Sequence, residues 1–190
     1  MPKILLSAHK DVVFHPYKFS YNKGVFTGLL DNAIGVLVVN SLFIEDPNLA
    51  LLEKEGELEV FFGDSEEWGT ITEMPKLEKN DIAIVVDVAS GSQYKGVDIS
   101  LENISGFTKP FIKEKKDCLE WEGFKLKTKF YNGNKDDEDE GWYWKKQGNK
   151  VISFIIPIEG ESWHQDNCTI SIEKVVKAKQ ILKRLLNYLL

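Results

Sequence analysis

The chain of 190 residues has few cysteines and no long apolar run. Its two cysteines, Cys118 and Cys168, have no CxxC spacing, so they support neither a disulfide framework nor a thiolate zinc site. No stretch of about 18 or more apolar residues occurs, which argues against a membrane-spanning helix. The apolar stretch after Lys3 is too short for a signal peptide, and we expect a cytoplasmic protein with no membrane partner.

Basic residues are also fewer than acidic residues. The chain carries 24 Lys and Arg residues against 30 Asp and Glu residues, which gives a net charge of −6. A phosphate backbone would repel such a chain, so nucleic acid is not an expected partner. The hydrophobic fraction of 43% and the charged fraction of 28% are ordinary for a globular protein, and the length predicts one domain over residues 1–190.

Apolar runs of strand length alternate with segments of helical period, which predicts an α/β layer fold. Continuous Val and Ile runs are typical of strands buried on both faces of a largely parallel sheet. We therefore expect a three-layer α/β/α fold with a mixed, mostly parallel central sheet. The predicted strands are Lys3 to Ser7, Glu57 to Phe62, Asp81 to Val88 and Val151 to Pro157, and the predicted helices are Asp31 to about Glu45 and Ser171 to Leu189.

The middle of the chain has a weaker pattern. Val97 to Leu101 and Phe124 to Tyr131 alternate between apolar and polar residues, which predicts strands with one exposed face. Asn132 to Gly148 is rich in turn-forming and acidic residues, including the run from Asp136 to Glu140, and is predicted to be a solvated loop.

Two polar segments lie at or near the ends of predicted elements. His9 and Asp11 follow the first strand, and an extended backbone places residues i and i+2 on one face. A carboxylate there can bind one imidazole nitrogen and leave the other for a metal, although a surface ion pair explains the same residues. Asp31 opens a predicted helix, where an N-cap is the simpler role.

Further polar residues follow the other strands. Glu66 and Glu67 are adjacent carboxylates whose repulsion a cation would relieve, and in a metal site one can ligate while the other acts as a base. Asp87 lies inside an apolar strand and needs a partner, yet no lysine or arginine is adjacent. His164 follows the fourth strand. Open α/β sheets place their sites at this edge, so the five segments together predict a site there.

In order and spacing, these segments resemble the catalytic domain of the co-catalytic zinc exopeptidases, a clan of aminopeptidases, carboxypeptidases and N-acyl amino acid deacylases. The resemblance extends from Lys3 to Leu190, and both the glutamyl-aminopeptidase type and the aminoacylase/carboxypeptidase type remain open. The matching segments are Ser7-Ala-His-Lys-Asp-Val-Val13, Gly28-Leu-Leu-Asp-Asn-Ala-Ile-Gly-Val36, Asp64-Ser-Glu-Glu-Trp-Gly69, Ile84-Val-Val-Asp-Val88 and Trp163-His164.

The resemblance implies a site with two divalent metal ions. Asp31 would bridge them, with His9 and Asp87 completing one site and Glu67 and His164 the other. Nitrogen and carboxylate ligands of this kind suit zinc, and manganese or cobalt is compatible. Two catalytic residues are also implied. Glu66 would act as the general base, and Asp11 would orient His9.

The activity implied is that of a metallo-exopeptidase, with an aminopeptidase acting on small peptides preferred to an N-acyl amino acid deacylase. Too few residues separate Asp87 from His164 for the inserted lid or dimerisation domain of some relatives, so we expect none. Tyr143 and the acidic run starting at Asp136 are candidates for contacting substrate, but neither is assigned. The alternatives are an inactive metal- or peptide-binding module and a structural α/β domain. A monomer and a sheet-edge dimer both remain open.

Overall fold

A six-stranded sheet lies at the centre of the computed structural model, which describes residues 2–10, 19–64, 74–91, 94–102, 104–119, 126–129, 140–161 and 164–190. Its strands lie in the order β4-β1-β5-β8-β6-β7, and β2, β3 and β9 form a smaller sheet. The elements in chain order are β1 (Ile4–His9), β2 (Phe19–Asn22), β3 (Val25–Gly28), α1 (Ala33–Glu45), α2 (Pro47–Glu55), β4 (Leu58–Gly63), β5 (Ile82–Ala89), β6 (Ile99–Glu102), α3 (Thr108–Leu119), β7 (Leu126–Lys129), α4 (Glu140–Lys146), β8 (Lys150–Pro157), β9 (Cys168–Ser171) and α5 (Ile172–Leu189).

The direction of the strands confirms the predicted fold class. β1 pairs in parallel with β4 and β5, and β5 pairs in parallel with β8. β6 runs antiparallel to β8 and parallel to β7, so β6 and β7 run opposite to the other four strands. The sheet is therefore mixed and mostly parallel, and the carboxyl ends of β1, β4, β5 and β8 meet at one edge.

Both faces of the central strands are buried, as their continuous apolar sequences predict. Alternate residues of β1 and β5, such as Ile4 and Ile84, pack in one large core with α1 and α5. The intervening residues, such as Leu5 and Ala83, pack with Trp144 of α4 in a second, smaller cluster. Because successive side chains of a strand point to opposite faces, each apolar strand contributes to both cores. The sheet and the helices on its two faces make three layers.

The helix α5, which packs in the larger core, begins at a well-defined N-cap. The Ser171 hydroxyl accepts a hydrogen bond from the Lys174 amide at 3.2 Å, which confirms the predicted N-cap of α5. The apolar stripe of α5 is buried, including Val175, Ala178, Ile181, Leu182, Leu185 and Leu186.

No single helix in the described ranges is long and apolar enough to cross a membrane. Only α1 and α2 taken together, across a bend of 96°, meet the test of length and composition.

The N-cap of α1 differs by one residue from the possibility raised for Asp31. Asn32 is the cap, because its side-chain Oδ1 accepts a hydrogen bond from the Gly35 amide at 2.8 Å. The amide of the same side chain donates to the carbonyl oxygen of Val86 in β5 at 2.6 Å. Asn32 thus joins the start of α1 to the sheet and leaves the neighbouring Asp31 carboxylate available for other contacts.

The middle of the chain contains elements that the sequence pattern did not reveal. The exposed hairpin of β2 and β3 and the short β9 have no continuous apolar run, so nothing in their sequences marks them as strands. α3 lies in a segment for which no helix was predicted. α4 lies where a solvated loop was expected, and its residue Glu140 is buried. The prediction for residues 140–146 was therefore wrong.

Gly35 is expected to be required for the α1 cap. A β-carbon built on Gly35 would overlap the Asn32 side chain, which would have to give up its bonds to Gly35 and Val86. An ordinary Gly→Ala change inside a helix stabilises it by roughly 1 kcal/mol, whereas we expect Gly35→Ala to destabilise this protein by about 1–2 kcal/mol. Urea denaturation measures the difference. Ser41→Ala in the same helix is the control, and a Gly35→Ala protein more stable than the parent would contradict the prediction.

Candidate metal centre

Four polar side chains meet at the carboxyl edge of the six-stranded sheet. His9 is the last residue of β1, and Asp87 lies near the end of β5, two residues beyond the Ser7–Val85 pair that joins these strands. Asp31 precedes the Asn32 cap of α1, and the peptide bond between the two residues is cis. His164 lies in the loop between β8 and β9. Parallel strands therefore bring together residues far apart in the sequence.

Asp31 lies between the two histidines and uses both of its carboxylate oxygens. Its Oδ1 is 3.3 Å from Nε2 of His9, and its Oδ2 is 3.3 Å from Nε2 of His164. Asp87 Oδ1 lies 3.3 Å from the same nitrogen of His9 and also accepts the Val88 amide at 2.7 Å. The Asp31 carboxylate thus lies between the shared nitrogen of His9 and Asp87 on one side and His164 on the other.

The cluster is buried at one end and open at the other. His9 and Asp31 are almost fully buried, whereas the side chain of His164 is 35% exposed. Burial raises the pKa of the Asp87 carboxyl, and the charge of Asp31 raises it further, while the hydrogen bond and charge of His9 act in the opposite direction. Two carboxylates in so dry a place repel each other, and a cation between them would remove that repulsion.

The donor atoms fit a divalent transition metal. His9, Asp31 and Asp87 each offer one donor atom, and these atoms lie within 4.8 Å of one another. Tetrahedral zinc with bonds of about 2.0–2.1 Å to nitrogen and oxygen places neighbouring donors about 3.3 Å apart. The separation of 3.3 Å between His9 and each carboxylate matches that requirement. Imidazole nitrogen with carboxylate oxygen is also compatible with manganese or cobalt.

The remaining predicted site residues lie outside the described part of the chain. These are Asp11, Glu66 and Glu67. Their roles as orienting residue, base and metal ligand remain predictions.

Two described residues have roles that the sequence did not assign. Asn32 positions Asp31 against β5. The sequence could have indicated Asn32 as the cap of α1, because asparagine is a favoured N-cap residue. Tyr143, a candidate for contacting substrate, lies in α4 and packs in the smaller apolar cluster with its ring edge against Trp144. Tyr143 is therefore partly buried and contributes to the packing of α4 against the sheet.

No protein-family model and no curated protein sequence matches this chain. Solved structures are similar in fold. A TET peptidase of Pyrococcus horikoshii matches with a TM-score of 0.60 and 15% identity over 89% of this chain and 52% of that one. Yeast aminopeptidase 1 matches with a TM-score of 0.60 and 12% identity over 90% of this chain and 48% of that one. An aminopeptidase of Desulfurococcus kamchatkensis matches with a TM-score of 0.57 and 16% identity over 89% and 51%.

These similarities concern the fold, because every identity given is far below the level at which function is shared reliably. The chain spans about half the length of the solved structures it matches. Within that half lies the layered α/β fold described above. The likeness confirms that the chain has the α/β fold found in these aminopeptidases.

Zinc is expected to stabilise the protein through this cluster. A ligand at a hundred times its dissociation constant adds about 2.7 kcal/mol, which for a chain of this size raises Tm by about 5–10 °C. Zinc added to chelator-stripped protein should produce such a shift, and Asp31→Asn should abolish it. Asp166→Asn, which alters an exposed carboxylate two residues from His164, is the control and should keep the shift. A parent protein whose Tm does not respond to zinc, manganese or cobalt would contradict the assignment.

Proposed function

We propose that the protein is a di-metal hydrolase, and specifically an aminopeptidase that cleaves small peptides. The observation that carries this proposal is the position of Asp31, whose two oxygens each lie 3.3 Å from a different histidine. A carboxylate shared in this way suits a pair of metal ions better than a single one. The donor set favours zinc, with manganese or cobalt as alternatives.

Each proposed metal ligand and catalytic residue has a distinct task in this proposal. His9 and Asp87 would hold one ion, Glu67 and His164 would hold the other, and Asp31 would serve both. Asp11 would orient His9 through the imidazole nitrogen that does not bind metal. Two bound divalent ions would supply an activated water and polarise the carbonyl of the scissile bond.

Proton transfer is the task of Glu66. Its carboxylate accepts a proton from the attacking water and then donates it to the amine of the departing residue. The burial of His9 and Asp31 keeps one end of the site dry, and this strengthens every electrostatic interaction there. The partly exposed His164 lies on the side from which substrate would enter.

The names of the structurally similar proteins favour peptides over other amides. They are described as aminopeptidases or peptidases, and some are described as a dodecamer, a tetrahedron or an octahedral shell. We therefore prefer an aminopeptidase to the N-acyl amino acid deacylase that the sequence left open. A metal- or peptide-binding module without turnover would need the same ligands but would have no use for Glu66 as a base.

Glu66→Gln should separate metal binding from turnover. Because the variant keeps all five proposed ligands, we expect its zinc content to equal that of the parent, while its kcat on aminoacyl-p-nitroanilides falls at least about a hundredfold. His164→Ala should lose both metal and activity. Glu53→Gln, which changes an exposed residue of α2, is the matched control and should retain both.

Each alternative function predicts a different outcome of these assays. Hydrolysis of N-acetyl amino acids without hydrolysis of aminoacyl-p-nitroanilides would identify a deacylase. A parent protein that binds two equivalents of metal but hydrolyses neither class would be a binding module. Parental turnover by Glu66→Gln would show that another residue is the base.

A further inference from the structure

Two buried carboxylates lie on the face of the sheet that packs against α4. Glu140, the first residue of α4, is 1% exposed, and Glu102, the last residue of β6, is 3% exposed. Each accepts a hydrogen bond from a hydroxyl group: Glu140 from Ser7, and Glu102 from Tyr94 at 2.8 Å. Neither carboxylate belongs to the cluster of His9, Asp31, Asp87 and His164, and burying a carboxylate is costly unless hydrogen bonds or ion pairs compensate it.

The strand register places Glu102 one layer below that cluster, and Glu140 binds the same row through the Ser7 hydroxyl. Ser7 pairs with Val85, Val85 with Ser153, and Ser153 with Glu102, so these four residues form one row across the sheet. Ser7 precedes His9 by two residues, and Val85 precedes Asp87 by two. The row therefore lies about 7 Å below the proposed ligands, on the same face.

The two carboxylates differ in their distance from His9. Glu140 binds Ser7, which belongs to the same strand as His9. Its Oε1 also lies against Gly63, the partner of His9 in β4, where a β-carbon would overlap it. Glu102 belongs to β6, which β5 and β8 separate from β1, a distance of about 14 Å across the sheet.

We propose that Glu140 is a positioning residue of the metal centre, an inference that rests on the proposed function. Its carboxylate accepts the Ser7 hydroxyl of β1 and packs against Gly63 of β4, the strands whose last residues are His9 and its partner Gly63. When ionised, this carboxylate adds a negative charge beside the end of β1, which favours a cation in the site. Groups that hydrogen-bond a metal ligand directly commonly change metal affinity 10- to 100-fold when replaced, and we expect Glu140, which acts through Ser7, to fall near the lower end of that range.

Glu102 provides a matched control that the chain itself offers. It has the same residue type and nearly the same burial as Glu140, it also accepts a hydrogen bond from a hydroxyl group, and it lies in the row that contains Ser7. Any loss that follows from removing a buried carboxylate as such should appear in Glu102→Gln as well as in Glu140→Gln. A loss specific to the metal centre should appear only in Glu140→Gln.

The test is a zinc titration of chelator-stripped protein against a competing chelator of known affinity, together with the Tm of the metal-free forms. We expect Glu140→Gln to weaken the binding of zinc about tenfold or more, and Glu102→Gln to stay within about threefold of the parent. Ser7→Ala, which keeps the charge and removes the hydroxyl, should weaken zinc by a smaller factor than Glu140→Gln. At saturating zinc, Glu140→Gln should recover the parental kcat, since the role inferred for Glu140 is limited to the affinity for zinc.

The outcomes separate this inference from the proposed function. Equal zinc affinities for the parent and Glu140→Gln would overturn the inference and leave the proposed function intact, and so would equal losses in the two Gln variants. A kcat that stays low at saturating zinc would also overturn it. If Glu140→Gln does not fold, Ser7→Ala decides: parental zinc affinity in that variant would overturn the inference. A parent that binds no zinc would overturn the proposed function as well.

Discussion

The shared position of Asp31 between His9 and His164 is the constraint on which the rest of the site depends. Its carboxylate is nearly buried, and Asp87 lies against the same nitrogen of His9, so two negative charges are confined with little water. Burial raises the pKa of the Asp87 carboxyl, which shows the cost of confining these charges. A divalent cation would offset this cost.

The parallel sheet makes this arrangement possible. β1 and β5 are paired in register, so His9 and Asp87 follow the Ser7–Val85 pair at the same height and on the same face. Asn32 then fixes the start of α1 to β5 through the Val86 carbonyl, and this places Asp31 over the gap between the strands. Three segments distant in sequence thus meet through backbone pairing and one side-chain bond, without a long loop.

The sequence predicted well what depends on burial and period, and poorly what depends on contacts between distant segments. The apolar strands β1, β4, β5 and β8 and the helix α5 were predicted because their patterns are local. The exposed hairpin of β2 and β3 and the helix α4 have no such pattern. Four of the five predicted metal ligands lie together in the structure. The burial of Glu140 was missed because it depends on Ser7, 133 residues away.

The face of the sheet toward α4 changes character along the strands, and this change links the core to the site. At its lower end Leu5, Ala83 and Val151 form a dry apolar cluster around Trp144. One layer higher, the hydroxyls of Ser7 and Ser153 are buried in the row that ends at Glu102, and one layer higher again are His9 and Asp87. The apolar layer keeps water away from the polar layers above it, so each charge there acts more strongly on its neighbours than it would at a surface. The packing that stabilises the fold therefore also strengthens the electrostatic interactions within the polar cluster.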